Sequence, residues 1–330
     1  MVEAFMAKIK LSFASGLYDR QMSLFTKEVE PEGIDLNYIA MDSVRDIFDR
    51  MGATQEFDVA EMSSSEYISH VCAGSSPFVA IPVFPSRVFR HSFMTYNLDS
   101  GIRSPKDFEG RRIGVPLYTM SAAVWQRGHL QHDYGVDLSS IEWVQGAANH
   151  AGGHGEPSVV PMVRPARVST DPAGRSLSEL IDRGEIAAMI GTAVPHSMRT
   201  NKRIVRLFPD YRAVEKDYYK RTGIFPIMHL VVIRRALYEQ HPFIAKSLFD
   251  AFNESKRRAV ERLRSGTLRY MLPWLASHVE EIDEVFGDEY WPYGVEANRN
   301  TLTALVTYMT DQGLIAKAPP LDSLFVPVAD

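Results

Sequence analysis

The chain has 330 residues, of which 45% are apolar, and this length and composition suit two domains with a substantial core. Its 36 Lys and Arg residues against 41 Asp and Glu residues give a net charge of −5, which argues against a nucleic-acid surface because binding to phosphates needs a basic excess. The single cysteine, Cys72, excludes an intrachain disulfide and a metal cluster held by several cysteines.

Charged residues interrupt the first apolar stretch of the chain, at Glu3, Lys8 and Lys10. A secretion signal would need an unbroken apolar run at this point. No run in the chain approaches the about 18 apolar residues of a membrane helix. We therefore expect a cytoplasmic protein that makes no membrane contact.

The first third of the chain alternates predicted strands with predicted helices. Strands are predicted at 8–15, 33–41, 57–62 and 78–84, and Asp42 or Ser43 can cap the helix that follows the second of them. Strands that alternate with helices are typical of a largely parallel α/β sheet.

A second unit begins near Gly101, with Ser104 as the predicted cap of a helix and a strand at 112–116. Further strand and helix patterns follow, and the region 240–317 is predicted to be helical. The stretch 147–176 is rich in Gly and Pro, which predicts a mobile loop or flap.

Ligands of open α/β sheets bind beyond the carboxyl ends of the strands. Five predicted loops occupy that position: 15–20, 61–65, 85–91, 117–121 and 192–197. In the third loop Arg87, Arg90 and His91 follow a very apolar strand, and arginine suits carboxylates because its planar fork can bond both oxygens. In the fourth, Thr119 and Ser121 offer hydroxyls and free N–H groups at a helix N-terminus, a second seat for an anion.

The layout resembles the type II periplasmic-binding-protein fold, in which a second α/β lobe is inserted into the first. The strings "FDVAEMSSSEY", "VAIPVFPSRVFRHS", "GIFPIMH" and "WPYGVEANR" together resemble the 4,5-dihydroxyphthalate decarboxylase family. The resemblance extends from Leu11 to Phe325. It implies a first lobe of residues 1–100 and 226–330, with a helical C-terminal region, and a second lobe of residues 101–225.

The resemblance implies a carboxy-lyase that converts 4,5-dihydroxyphthalate into 3,4-dihydroxybenzoate and CO2. We expect no cofactor, because the sequence has no glycine-rich dinucleotide fingerprint, P-loop or histidine–glutamate zinc helix. Arg87 and Arg90 would hold the carboxylate that stays on the ring. His91 and His229 are the candidate acid and base groups, because the ordinary histidine pKa of about 6.5 suits proton transfer. Glu61 would orient one of them or accept a hydrogen bond from a catechol hydroxyl.

Further residues of the five loops are predicted to contact the substrate: Arg20, Ser63, Tyr118, Thr119, Ser121 and His196. Several simpler interpretations stay open at this stage. Arg20 can form a surface pair with Asp19, His229 can be a core histidine, and Arg90 and His91 are neighbours whose side chains point to opposite faces of a strand. A divalent metal on the catechol oxygens also stays open.

Two departures from the family pattern occur, in the His- and Gly-rich segment 147–155 and at Ala187, which stands where an acidic residue often follows "GEI". The first can change the substrate range. The main alternative function is a solute-binding protein that captures a small aromatic carboxylate without catalysis. Intracellular enzymes that share the fold, such as those resembling chorismate dehydratase or the pyrimidine synthase of thiamine biosynthesis, are a third possibility. The chain can also form a homo-oligomer.

Overall fold

A computed structural model describes residues 8–266 and 269–328. Glu3, on which the expected lack of a secretion signal partly depends, lies outside the described residues. The strands are β1 (Ile9–Ser15), β2 (Ile34–Ala40), β3 (Val59–Ser63), β4 (Phe78–Arg87), β5 (Thr95–Asn97), β6 (Arg112–Val115), β7 (Glu142–Gln145), β8 (Val168–Thr170), β9 (Ala188–Met189), β10 (Ile204–Arg206) and β11 (Ile227–Arg234). The α-helices are α1 (Met22–Phe25), α2 (Val44–Thr54), α3 (Ser64–Cys72), α4 (Ser121–Gly128), α5 (Leu177–Asp182), α6 (Tyr211–Thr222), α7 (Arg235–Gln240), α8 (Phe243–Ser265), α9 (Leu275–Phe286) and α10 (Arg299–Asp311).

The first sheet has the strand order β2-β1-β3-β11-β4. Strand β1 runs parallel to β2 and β3, as the alternation of strands and helices predicts. Strand β11 returns late in the chain and lies antiparallel to β3 and β4. The carboxyl ends of β1, β3 and β4 therefore meet the beginning of β11 at one edge of the sheet.

The second sheet has the order β10-β5-β9-β6-β7-β8. Its centre is parallel, whereas β5 lies antiparallel to β9 and β10. Strand β5 precedes the lobe boundary that the sequence predicts at residue 101, so the change from one sheet to the other comes earlier than predicted. Strand β8 likewise forms within the stretch 147–176, which the sequence predicts to be a loop.

Capping side chains fix where several helices begin. The Ser43 hydroxyl accepts a hydrogen bond from the backbone N–H of Asp46, 3.3 Å away, and so begins α2. Ser104 and Asp107 form a capping box, but the segment that they cap is a short 3₁₀ turn rather than the predicted helix. In the C-terminal region, α8, α9 and α10 confirm the predicted helical character.

Helix α4 follows β6 of the second sheet and packs on β11 of the first. It is buried along its whole length. The indole N–H of Trp125 donates to the carbonyl oxygen of Ile227 in β11, at 2.8 Å. The Gln126 side chain donates to the carbonyl oxygen of Arg90, at 3.2 Å. At its C-terminal end, Gly128 leaves room for the ring of Tyr308 on α10. The position of the α4 N-terminus is therefore tightly constrained.

Within residues 8–266 and 269–328, no helix has the length and apolar character needed to cross a membrane.

We expect Gly128→Ala to lower the free energy of unfolding by about 1–3 kcal/mol, because an added methyl group would overlap the Tyr308 ring and force α4 and α10 apart. Denaturant titration measures the loss. Gly153→Ala is the matched control, since the nearest atom to its new methyl group would lie 3.9 Å away, and it should stay within about 0.5 kcal/mol of the wild type. Equal stability of the two variants would contradict this account of the α4 packing.

Candidate active site

A cavity of about 360 Å³ lies where the carboxyl ends of β3 and β4 and the beginning of β11 face the N-terminus of α4. This is the position that the sheet architecture favours for a ligand. Its wall is mainly apolar, and the polar side chains on it include Ser63, Ser121, Arg45, Arg90, His154 and His229. An apolar wall with a few polar groups is typical of a small-molecule site.

The carboxylate of Glu61, on β3, is fully buried beside this cavity. It accepts hydrogen bonds from the Ser15 hydroxyl at 2.7 Å, the Gly16 backbone N–H at 3.1 Å and the Tyr18 hydroxyl at 2.8 Å. The Nδ1 atom of His229 lies 2.6 Å from Oε1 of the same carboxylate. The parallel pairing of β1 and β3 places the first two donors, and β11 places the histidine.

These donors determine the charge state of Glu61. Burial alone would raise the pKa of Glu61, but the hydrogen bonds from His229, Ser15 and Tyr18 outweigh it and hold that pKa below the usual range. Burial and the nearby carboxylate raise the pKa of the Tyr18 phenol, which therefore stays a neutral donor. An ionised Glu61 requires a hydrogen on Nδ1 of His229, so the neutral imidazole carries its lone pair on Nε2.

The imidazole of His229 is presented to the cavity. The strand pairing of β11 with β4 shifts register on both sides of His229, and such irregularities re-aim side chains. The ring packs edge-on against Phe48, with centroids 4.9 Å apart. Nε2 has no hydrogen-bond partner among the residues that the structure describes, and the ring lines the cavity wall. This nitrogen is free to exchange a proton with a ligand.

Arg90 supplies a positive charge on the same cavity wall. Its side chain is 6% exposed, its Nε donates to the Met228 sulfur at 3.2 Å, and its guanidinium lies 5.2 Å from the centre of the Phe93 ring. Burial lowers the pKa of Arg90 to about 10, so the group stays charged at neutral pH. In the described part of the chain it forms no ion pair, although the Glu215 carboxylate acts on its charge from farther away. A buried cation that no carboxylate contacts directly favours an anionic ligand.

Serine hydroxyls join the two sheets at the N-terminus of α4. The Ser121 hydroxyl lies 3.1 Å from that of Ser63 and accepts from the backbone N–H of Ser65 at 3.0 Å. The Ser65 hydroxyl donates to the carbonyl oxygen of Thr119 at 2.7 Å. Ser63 and Ser121 thus line the cavity as predicted, whereas the Thr119 hydroxyl is buried away from its wall without a hydrogen-bond partner among the described residues.

The structure contradicts the predicted role of Arg87 as a carboxylate clamp. Its guanidinium points away from the cavity and donates to the carbonyl oxygens of Phe225 at 3.3 Å and Pro292 at 2.8 Å, and to the side chain of Asn298. Burial lowers its pKa to about 9. Arg87 therefore anchors β4 to the segment before α10.

His91 is also absent from the cavity, contrary to the prediction. It is 1% exposed and stacks on His129, with ring centroids 4.4 Å apart, and its edge meets Phe208. Burial, together with the neighbouring His129, lowers the pKa of His91 to about 2, so it is neutral and cannot act as the acid. Arg90 and His91 thus diverge as adjacent residues should, one to the cavity and one to the core.

Three other predicted contacts lie elsewhere. Arg20 donates to the Pro85 carbonyl oxygen and forms the alternative pair with Asp19, at 3.1 Å. The Tyr118 ring lies 3.7 Å from the Arg127 guanidinium and lines a separate cavity of about 480 Å³. His196 is exposed at the start of a 3₁₀ turn.

Among the basic residues of the cavity wall, sequence reasoning missed two, Arg45 on α2 and His154 in the Gly-rich segment. Arg45 pairs with Glu66 at 2.5 Å and with Asp49 at 2.7 Å. Its position on an amphipathic helix resembles that of an ordinary surface residue. His154 belongs to the segment 147–155 that departs from the family pattern, but its glycine-rich surroundings predicted only a loop.

Metal-ligating side chains do not cluster in the described residues, where no group of three or more His, Cys, Asp or Glu could hold an ion. The absence of a cofactor stays a prediction.

The two sheets and the ligand cavity beside their strand ends define a protein of the periplasmic-binding-protein fold. The periplasmic aliphatic sulphonate-binding protein SsuA from Escherichia coli is similar, with a TM-score of 0.52 and 11% identity over 98% of this chain and 92% of that one. The MOPS-bound alkanesulfonate-binding protein SsuA from Xanthomonas axonopodis pv. citri gives a TM-score of 0.51, with 9% identity over 97% of each chain. At these identities the likeness shows the fold alone.

Sequence comparison defines the family. The 4,5-dihydroxyphthalate decarboxylase of Comamonas testosteroni is 35% identical to this chain over 98% of both chains. The enzyme of the same name from Pseudomonas putida is 35% identical over 65% of this chain and 83% of that one. No protein-family model matches the chain. The chain therefore belongs to the 4,5-dihydroxyphthalate decarboxylase family.

The buried His91 should make the protein less stable in mild acid. Its folded pKa of about 2 lies below the ordinary 6.5, so the unfolded chain takes up the proton first. The stabilisation is complete above pH 6.5 and is lost as the pH falls toward 2, by about 1.5 kcal/mol between pH 6.5 and 5. Denaturant titrations at both pH values should show that His91→Asn removes this part of the pH dependence.

The control for the His91 measurement is His150→Asn, which changes an exposed histidine and should keep the wild-type pH dependence. If the free energy of unfolding of His91→Asn falls as much between pH 6.5 and 5 as that of the wild type, His91 is not the source of the acid sensitivity.

Proposed function

We propose that this protein is a carboxy-lyase that converts 4,5-dihydroxyphthalate into 3,4-dihydroxybenzoate and CO2. The names of its relatives support this activity. The observation that carries the proposal is the Glu61–His229 pair, which opens with a free ring nitrogen onto a cavity that also holds the buried Arg90. Such a cavity combines a proton-transfer group with a seat for an anion.

The electronic structure of the substrate explains how a base and an anion-binding group can start the decarboxylation. Each carboxylate of 4,5-dihydroxyphthalate lies para to a hydroxyl. Removing the proton of that hydroxyl pushes electron density onto the carbon that bears the carboxylate. A proton adds to this carbon, the carbon–carbon bond breaks, and its electron pair returns to the ring as CO2 leaves. Overall one proton replaces one CO2, and no oxidant or reductant is needed.

His229 is the base in this scheme. Its Nε2 accepts the phenolic proton, and the imidazolium that forms is stabilised by the ionised Glu61 at 2.6 Å. Glu61 has no solvent exposure, so the interaction acts in a medium of low dielectric constant, where it is stronger than in water. The three other donors to Glu61 keep the carboxylate in place while the charge on His229 changes.

Arg90 holds the carboxylate that stays on the ring, assisted by the Ser63 and Ser121 hydroxyls and the α4 N-terminus. A clamp on the departing carboxylate would stabilise the substrate more than the transition state, because that group loses its charge as CO2 forms. The clamp on the spectator group acts equally on both states.

The test is to incubate the purified protein with 4,5-dihydroxyphthalate in D2O. We expect CO2 and 3,4-dihydroxybenzoate carrying one deuterium, at the ring carbon that lost its carboxylate, measured by mass spectrometry and NMR. Binding without turnover would overturn the proposal in favour of a solute-binding protein.

We expect His229→Asn to lower kcat by ~10²–10⁴ while the substrate still binds, because the variant loses the base but keeps the anion seat. Glu61→Gln should also lower kcat, because a neutral amide does not stabilise the imidazolium. Steady-state kinetics and calorimetric binding measure the two effects. A His229→Asn enzyme with the wild-type kcat would contradict the assigned base.

Arg90→Met and Arg87→Met form a matched pair that separates binding from folding. Arg90→Met should raise KM by about 10- to 150-fold with a smaller change in kcat, since a charge-assisted bond to the substrate is lost. Arg87→Met should leave KM unchanged and lower the free energy of unfolding by about 2–4 kcal/mol, because three hydrogen bonds to the protein are lost and the buried Asn298 oxygen loses its Arg87 donor. The reverse pattern would restore Arg87 as the clamp.

A further inference from the structure

The His- and Gly-rich segment that follows β7 reaches across from the second sheet to α2, beside the first. Gly155 adopts a left-handed conformation, with φ of +72°, directly against α2. The backbone N–H of Glu156 donates to the Asp49 carboxylate at 2.9 Å. Next to this contact, the His70 ring nitrogen Nε2 lies 2.9 Å from the carbonyl oxygen of Ser158. The segment is thus anchored at its far end on α2 and α3.

The near end of the segment is anchored as well. The N–H of Ala147 donates to the carbonyl oxygen of Gly152 at 2.8 Å, and the N–H of Gly152 donates to that of Gly174 at 2.9 Å. His154 lies between the two anchored ends and forms part of the cavity wall. Its ring makes no hydrogen bond with the residues that the structure describes, although the backbone on each side of it is hydrogen-bonded, at Gly152 and Glu156.

His154 lines the same cavity as the base, His229. On the cavity wall, Phe48 contacts both His229 and Arg45. Its ring centre lies 4.9 Å from that of His229 and 5.0 Å from the Arg45 guanidinium. The charge of Arg45 acts on His154 directly. Burial and this guanidinium lower the pKa of His154, and Asp49 only partly opposes them. The ring is therefore neutral at neutral pH and offers one N–H and one lone pair.

A neutral imidazole matches a hydroxyl, which both donates and accepts hydrogen bonds, better than it matches a carboxylate. The proposed substrate has two adjacent hydroxyls, and the reaction uses only the one para to the departing carboxylate. We propose that His154 binds the second hydroxyl, next to the one that His229 deprotonates, and that it selects catechol substrates over monohydroxylated ones. This inference rests on the proposed decarboxylase function.

The test compares 4,5-dihydroxyphthalate with 4-hydroxyphthalate, whose single hydroxyl still lies para to one carboxylate. Binding is measured by calorimetry in the His229→Asn background, where turnover does not interfere. With His154 present, we expect the catechol ligand to bind about 3- to 10-fold more tightly than 4-hydroxyphthalate, the worth of one hydrogen bond. Adding His154→Ala should make the two affinities equal, by weakening the catechol ligand alone.

His150→Ala is the matched control, because His150 lies on the same segment but is exposed, and its hydrogen bond among the described residues is to the adjacent Ala151 carbonyl oxygen, at 3.0 Å. It should preserve the preference. Gly155→Ala is a second variant, since its methyl group would lie 2.5 Å from an Asp49 carboxylate oxygen and displace the segment with His154 on it. It should also abolish the preference.

A catechol preference that persists in His154→Ala would overturn the inference, and so would an equal loss of affinity for both ligands. Neither result depends on turnover. Failure of the proposed function itself would appear separately, as binding without CO2 release by the protein with its native His229.

Discussion

The architecture of the site depends on keeping one carboxylate ionised where no water reaches it. A buried charge costs several kcal/mol unless hydrogen bonds replace its hydration. Hydrogen bonds from the end of β1, from the turn after it and from β11 offset this free-energy cost for Glu61. The carboxylate can therefore be ionised only when these segments come together. The same contacts set the tautomer of His229. The requirement that stabilises the sheet edge therefore also prepares the base.

The three basic residues at the end of β4 and just after it, Arg87, Arg90 and His91, show how far a sequence can define a site. Their place beyond a strand's carboxyl end predicted a position beside the ligand cavity, which Arg90 occupies. Arg90 and His91 do point apart, but from the turn after β4 rather than from the predicted strand. The sequence could not show which residue faces the ligand. Arg87 turns away because acceptors more than 130 positions later in the chain, at Phe225, Pro292 and Asn298, satisfy its guanidinium. Contacts at that separation leave no local pattern.

The same distinction between local and distant contacts explains which other features of the structure could be predicted from the sequence. Apolar alternation and capping residues predicted β1 to β3 and α2, because these elements depend on neighbouring residues. Strands β5 and β8 have three residues each and exist only through their partners. His154 reaches the cavity through Asp49, about a hundred residues earlier, so its glycine-rich surroundings indicated a loop and not where that loop lies.

The position of β11 has a consequence for biosynthesis. Among the strands that the structure describes, β4 pairs in the first sheet only with β11, which is also the second partner of β3. While the ribosome makes the intervening residues, at about 5–20 residues per second, these two apolar strands wait on the order of ten seconds for their shared neighbour. The second sheet can be complete before the first one closes. Unpaired strand edges invite association with other chains, so this interval is the one in which the nascent chain is most prone to misassembly.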